Sequence, residues 1–199
     1  MVLFAVTNGS SINKTVASTR FFTHFFRRGS QIGSITPSSR FLAKKITQRI
    51  HFDRCDILVE LGPGTGAFTT SLLEKMSPTS KLILIELNDV FFKTLQDSFQ
   101  DPRITVVHGS ATEIIPILTQ LGIAQADCII SSLPLAIFPK SVVNQLLTSA
   151  YDALKEEGCF VQFQYSLQYK KRIAKLYGNI HVAFTAINFP PAFVYTCTK

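Results

Sequence analysis

The sequence predicts an α/β protein whose seven-stranded, mostly parallel sheet closes with an antiparallel C-terminal hairpin and is preceded by N-terminal helices. Three observations carry this expectation. From Ile57 onward, short β-rich runs alternate with stretches of helical periodicity, the pattern of a parallel sheet covered on both faces. The first run leads directly into a glycine-spaced loop, Glu60-Leu-Gly62-Pro-Gly64-Thr-Gly66, and a helical stretch follows. The last two runs are joined by Asn188-Phe-Pro190-Pro191-Ala192, too short for a parallel crossover, so they must pair antiparallel.

Taken in order, strands are expected at 57–61, 81–87, 104–108, 127–132, 159–164, 181–187 and 193–196. Helices are expected between them at 67–76, 89–99, 112–121, 139–154 and 166–176. Two regions follow from this: a basic helical extension, 1–52, facing membrane or substrate, and a core, 53–199, that carries the chemistry. A chain of 199 residues is long enough to bury one core without staples.

Composition narrows the function classes. The longest nearly apolar stretch, 128–138, is broken by Ser131 and Ser132 and falls short of a membrane span, which needs roughly 18 apolar residues. The first six residues lack the basic start of an export signal, so a cytoplasmic location is expected. Cys55, Cys128, Cys159 and Cys197 include no C-x-x-C pair and read as reduced, buried thiols rather than metal ligands; no metal is expected. The net charge of +7 is concentrated at the ends: residues 1–52 hold eight Lys or Arg and no acid, and residues 169–199 hold five and no acid. An anionic partner near the termini is implied, either membrane or nucleic acid.

The glycine loop sits where a nucleotide-sized ligand meets the carboxyl end of a first strand, because a Cβ there would block backbone from approaching the ligand. Glu86, ending the second strand, can accept hydrogen bonds from both ribose hydroxyls. Glu60, immediately before the glycines, is awkward for pyrophosphate but suits the cationic amino-sulfonium half of S-adenosyl-L-methionine. A parallel sheet ending in a hairpin resembles the class I methyltransferase fold, a Rossmann-like arrangement, more than a dehydrogenase. Cofactor contacts are accordingly expected from Glu60, Gly62, Gly64, Gly66, Glu86, Leu87, Ser110, Ala111 and Ser132. Ser110 stands where methyltransferases of this class often place an acid, and either touches the adenine edge or caps the next helix with Thr112.

The fourth strand ends in Ser131-Ser132-Leu133-Pro134-Leu135. Amino-directed nucleic-acid methyltransferases usually show Asn or Asp, Pro and a base-stacking aromatic there. Leu135 replaces the aromatic, which weighs against nucleic acid and makes Leu133, Pro134 and Leu135 candidate substrate contacts. Near the N-terminus, helical spacing collects Phe21, Phe22, Phe25 and Phe26 on one arc, bordered by Arg20, His24, Arg27 and Arg28. Such a helix suits the lipid headgroup boundary, with rings inserted and cations on lipid phosphate; it also suits packing over the sheet. Lys170, Lys171, Arg172 and Lys175 form a second basic cluster, either a lipid-phosphate site or a solvated helix face.

Four segments resemble the soluble bacterial phospholipid N-methyltransferases, which methylate phosphatidylethanolamine. These are I-G-S-I-T-P-S-S-R-F-L-A at 32–43, V-E-L-G-P-G-T-G at 59–66, S-S-L-P-L at 131–135 and N-F-P-P-A-F-V-Y at 188–195. That family is similar in its core to ribosomal-RNA adenine dimethylases, from which S-L-P-L in place of N-L-P-[YF] separates it. The resemblance implies an aminophospholipid substrate, peripheral attachment to the inner face of the membrane, and Ser38 and Ser39 facing the methionine end of the cofactor. Methyl transfer from a sulfonium is an in-line displacement that depends chiefly on positioning, after the ammonium loses its proton. Tyr165, Glu113 and His181 are candidate proton acceptors, and His108 reads as structural. Two alternatives remain at this level, a nucleic-acid adenine N6-methyltransferase and a non-catalytic membrane-associated protein that keeps the cofactor fold.

Overall fold

The computed structural model describes residues 37–186 and 191–199, with side chains from residue 41 onward. Helix α1, Pro37–Thr47, precedes strand β1, Ile57–Leu61. There follow α2, Thr69–Leu73, β2, Lys81–Glu86, α3, Asp89–Ser98, and β3, Ile104–His108. A 3-10 turn at Ala111–Glu113 leads into α4, Ile114–Gln120, and then β4, Ala126–Ser131. Helix α5, Lys140–Ala153, β5, Leu154–Gln164, α6, Lys170–Tyr177, β6, Asn179–Thr185, and β7, Ala192–Thr198, complete the order.

The strands form one sheet in the order β3-β2-β1-β4-β5-β7-β6. The first five are mutually parallel, and β7 runs antiparallel to both β5 and β6. Sequence reversal at β1/β4 puts the topological switch point there, where open α/β sheets receive ligands at the carboxyl ends of their strands.

Side chains alternate between two cores, as the period of two in a strand requires. On one face Val59, Leu61, Ile85, Ile129, Phe160 and Tyr195 pack under α4, α5 and α6. On the other, Leu58, Leu82, Leu84, Cys128, Ile130 and Val161 pack under α1, α2 and α3. Helix α1 contributes Leu42, Ala43 and Ile46 to this second core, each 3% exposed or less. The Lys75 ammonium also donates to the Thr47 hydroxyl at 2.8 Å. The part of the N-terminal extension that begins at Pro37 is thus built into the body of the protein. Among the described residues, no helix is long and apolar enough to cross a membrane.

Several boundaries differ from the sequence expectation for local reasons. The expected helix 67–76 contracts to α2 because Gly62 to Phe68 are spent on the glycine turn and Pro78 follows closely. Strand β5 starts five residues earlier than expected, since the chain passes from Ala153 directly into extended backbone. It then jogs at Glu157, which has φ 63, and Gly158, where a Cβ would lie 2.7 Å from the Lys155 carbonyl oxygen. The expected helix 166–176 begins only at Lys170, because residues 166–169 form a turn.

Candidate cofactor and acceptor site

The glycine loop leaves β1 at its carboxyl end with φ of 66 at Gly62 and 80 at Gly66, the left-handed region that favours glycine. Space is as tight as the backbone: a Cβ on Gly62 would come 2.4 Å from Leu133 Cδ2, and one on Gly66 would come 2.4 Å from Phe99. The Gly62 N–H donates to the Ile85 carbonyl at 3.0 Å, which ties the loop to β2. Glu86, 5% exposed at the end of β2, completes the tie: Oε2 accepts the Gly64 N–H at 3.0 Å and Oε1 accepts the Asn88 N–H at 2.8 Å. Burial raises its pKa, opposed by these backbone N–H bonds.

A cleft opens over these residues, lined by Gly62, Glu86, Leu87, Ser110, Ala111 and Leu133. The Ser110 hydroxyl accepts the Thr112 N–H at 3.3 Å, so it caps the 3-10 turn while standing on the cleft wall. His108 is fastened outside the cleft: Nε2 lies 3.0 Å from the Leu87 carbonyl oxygen and 3.1 Å from the Asp89 carboxylate, and its ring packs on Phe92.

Glu60 occupies the opposite face of β1 and is fully buried. Its Oε2 accepts the Thr69 hydroxyl at 2.7 Å, while Oε1 has no partner among the described residues. Burial pushes the carboxyl up to about 7; the Thr69 bond opposes the shift and the charge of Glu86 adds to it. Ser132 lies just beyond β4 with its N–H donated to the Leu61 carbonyl at 3.0 Å. Its hydroxyl is a second buried acceptor with no partner among the described residues. Strand alternation puts Glu60 and Ser132 on the same face of neighbouring strands.

The turn after β4 divides its residues. Leu133, 6% exposed, leans over Gly62 into the cleft, and Pro134 is half-buried. Leu135, expected as a substrate contact, is 0% exposed and belongs to the first core, which corrects that assignment: its side chain is consumed by packing against the sheet. Two glutamines that the sequence reading passed over hold this turn. The Gln162 amide donates to the carbonyls of Ser131 and Leu133, each at 3.1 Å, and the Gln164 amide donates to Leu133 at 2.9 Å. Both are buried. The signal for them was the even-numbered polar positions of β5, which face the core shared with Phe160.

Tyr165 follows β5, 44% exposed, its ring edge-on to Phe163, which in turn meets Phe68. Glu113 is exposed at the start of α4, next to cleft residue Thr112. His181 is not part of the site. It lines a separate cleft of about 880 Å³ at the amino ends of the parallel strands, with Arg49, His51, Arg54 and Lys155, so it cannot reach the acceptor end. Lys170, Lys171, Arg172 and Lys175 are exposed on α6, whose buried face carries Ile173 and Tyr177. The side chains of Ser38 and Ser39, and all of Phe21, Phe22, Phe25, Phe26, Arg27 and Arg28, lie outside the described residues.

Residues 31–176 match the family model described as ribosomal RNA adenine dimethylase. The chain belongs to the ribosomal RNA adenine dimethylase family. Within reach of it by sequence is an ornithine lipid N-methyltransferase of Singulisphaera acidiphila, 31% identical over 179 residues, 89% of this chain and 93% of that one. A ribosomal RNA small subunit methyltransferase A of Ureaplasma urealyticum is 25% identical over 73% of this chain and 54% of its own length. Among solved structures, a Burkholderia thailandensis 1,6-didemethyltoxoflavin-N1-methyltransferase superposes with a TM-score of 0.69 at 13% identity, covering 98% of this chain and 93% of that one. The T. thermophilus 16S rRNA N2 G1207 methyltransferase does so with 0.62 at 18% identity, covering 84% and 44%. The fold is that of the class I methyltransferases, with the seven-stranded sheet and terminal hairpin expected from the sequence. This family member is an S-adenosylmethionine-dependent N-methyltransferase. Its own residues fit that cofactor on one observation: a fully buried carboxylate, Glu60, has an oxygen with no described partner, and a cation is what would satisfy it.

Proposed function

We propose that this enzyme transfers methyl groups to the amine of an aminolipid such as phosphatidylethanolamine, at an anionic membrane surface on the cytoplasmic side. The observation that carries the reading is Leu135: the position after Leu133-Pro134 presents no ring for a flipped base and is itself buried in the core. The similarity to an ornithine lipid enzyme along nearly the whole chain supports the same acceptor class.

Glu86 and Leu87 hold the ribose side of the cofactor, Ser110 and Ala111 the adenine side, and Gly62, Gly64 and Gly66 admit its backbone-hugging middle. Glu60, Ser132, Ser38 and Ser39 hold the methionine end. When bound, the cofactor supplies a methyl group activated by its sulfonium. Tyr165, beside Phe163 at the end of β5, takes the proton from the lipid ammonium; Glu113, on the lip of the cleft, is the other candidate. Leu133 and Pro134 border the acceptor. The Phe21, Phe22, Phe25, Phe26, Arg27 and Arg28 segment rests on the headgroups.

Incubation with labelled methyl donor and phosphatidylethanolamine vesicles, with and without anionic lipid, tests the reading. Label in the lipid, enhanced by anionic lipid, supports it; no methylated lipid in either case sinks it. A second reading, methylation of RNA, is favoured by the family model itself and by the net charge of +7. Label that stays with ribosomal RNA after lipid extraction would replace the first reading with the second.

A further inference from the structure

Glu86 and His108 are register partners on β2 and β3, and each is the last residue of its strand. The ladder between the two strands ends there. The Gly109 N–H donates to the Glu86 carbonyl at 3.0 Å, and Ser110 then turns away to cap the 3-10 turn. The next carbonyl, that of Leu87, lies past the end of the ladder, and His108 serves it from its side chain, with Nε2 at 3.0 Å. The same nitrogen lies 3.1 Å from the Asp89 carboxylate, and the ring packs on Phe92 with centroids 5.0 Å apart. A carbonyl and an ionised carboxylate only accept hydrogen bonds, so Nε2 carries the hydrogen. Asp89 and Phe92 are three residues apart on α3 and share one side of it, which pins the imidazole at both its edge and its face.

The peptide that His108 grips has Glu86 on its other side. The Leu87 carbonyl and the Asn88 N–H belong to one peptide unit, which is planar and turns as a whole. That N–H donates to Glu86 Oε1 at 2.8 Å, so an unbroken chain of hydrogen bonds runs from the imidazole through the peptide to the carboxylate. A peptide polarised at its oxygen is a stronger donor at its nitrogen. Rotation of this peptide would break both bonds together and carry with it the Leu87 side chain, which lines the cleft beside Glu86.

We infer that His108 is a positioning residue for the cofactor's ribose: through the Leu87–Asn88 peptide it fixes the direction of the Glu86 carboxylate in the cleft. This rests on the reading above that Glu86 holds the ribose side of the cofactor. His108 stands outside the cleft, so its effect passes through that peptide and is felt by the groups that Glu86 meets.

His108→Phe keeps a ring against Phe92 and removes the donor, whereas His108→Gln keeps an N–H donor without the ring. Calorimetry on each full-length variant compares S-adenosylhomocysteine with its dideoxyribose analogue, which lacks both ribose hydroxyls. The wild type should prefer the hydroxylated ligand. In His108→Phe, affinity for S-adenosylhomocysteine should fall roughly five- to tenfold, the worth of one hydrogen bond, while the analogue binds as it does to the wild type, so the preference shrinks. His108→Gln should restore most of that preference. An undiminished preference in His108→Phe, or an equal loss for both ligands, overturns the inference and leaves the ribose reading standing. A wild type that shows no preference for the hydroxyls removes the ribose reading and this inference with it. The wild type also provides a check that needs no variant: in a long-range 15N–1H spectrum of protein labelled with 15N-histidine, the neutral His108 ring should carry its proton on Nε2. A proton on Nδ1 overturns the inference.

Discussion

The hydroxyl of Thr69 donates to Glu60 at 2.7 Å, joining the first helix after the glycine loop to the strand before it, and leaves the second Glu60 oxygen without a described partner. A carboxyl group in that setting governs how the protein answers to pH.

Burial raises Glu60 from 4.5 to about 7. Between those values the folded protein holds a proton that the unfolded chain has lost. The group's contribution to stability is complete below pH 4.5 and disappears as pH climbs through about 7. Burial raises Glu86 as well, which acts in the same direction. Melting of the cofactor-free enzyme should therefore lose stability on going from pH 5 to 8, and Glu60→Gln should flatten that slope by about 3 kcal/mol. A slope identical in Glu60→Gln would assign the effect elsewhere.

A cation beside Glu60 reverses the preference for the neutral form, so binding S-adenosylmethionine should release a proton near neutral pH. Calorimetry at pH 7 in two buffers of different ionisation enthalpy measures this directly. Release in the wild type and none in Glu60→Gln is the expected result. No release in the wild type would mean that the cationic half of the cofactor lies away from this carboxylate.

Glu86→Ala removes an acceptor from the cleft and strands the Gly64 and Asn88 N–H groups. Affinity for S-adenosylhomocysteine should fall by about 1 to 3 kcal/mol through lost charge-assisted hydrogen bonds. Unchanged affinity would exclude the ribose role.

Gly62→Ala and Gly122→Ala make a matched pair. Both sites have positive φ, 66 and 72, but a Cβ at Gly62 meets Leu133 at 2.4 Å while one at Gly122 meets nothing within 4 Å. Denaturant unfolding should show Gly62→Ala as the more destabilised of the two by about 1 to 3 kcal/mol, the cost of overpacking. Equal losses would mean that Leu133 gives way freely and does not seal the cleft.

All seven strands and the terminal hairpin were legible in the sequence, because buried parallel strands are written as nearly continuous β-branched and aliphatic runs such as Leu82 to Ile85. Helix ends were less so. Periodicity continues through residues that the glycine turn and the 166–169 turn take for themselves. In the site, glycines and terminal acids announce themselves by type and spacing, which is why Gly62, Glu86 and Ser110 could be named in advance and do line one cleft. The glutamine clamp could not: Gln162 and Gln164 act on main-chain carbonyls of a segment some thirty residues away, and main-chain acceptors leave no trace in a sequence. Leu135 was misassigned for a related reason, since the direction of a side chain in an irregular turn is settled by the core it falls into.

Strand β7 lies between β5 and β6, though its residues are made after both. During synthesis β6 therefore emerges before the strand it pairs with, and the β5 edge stays open until residues 192–198 have been made and have entered the gap between them. The half of the sheet that carries Gln162, Gln164 and Tyr165 is the half that closes last. A growing chain can assemble its nucleotide loop early, but it acquires an acceptor side only when translation has passed the final strand.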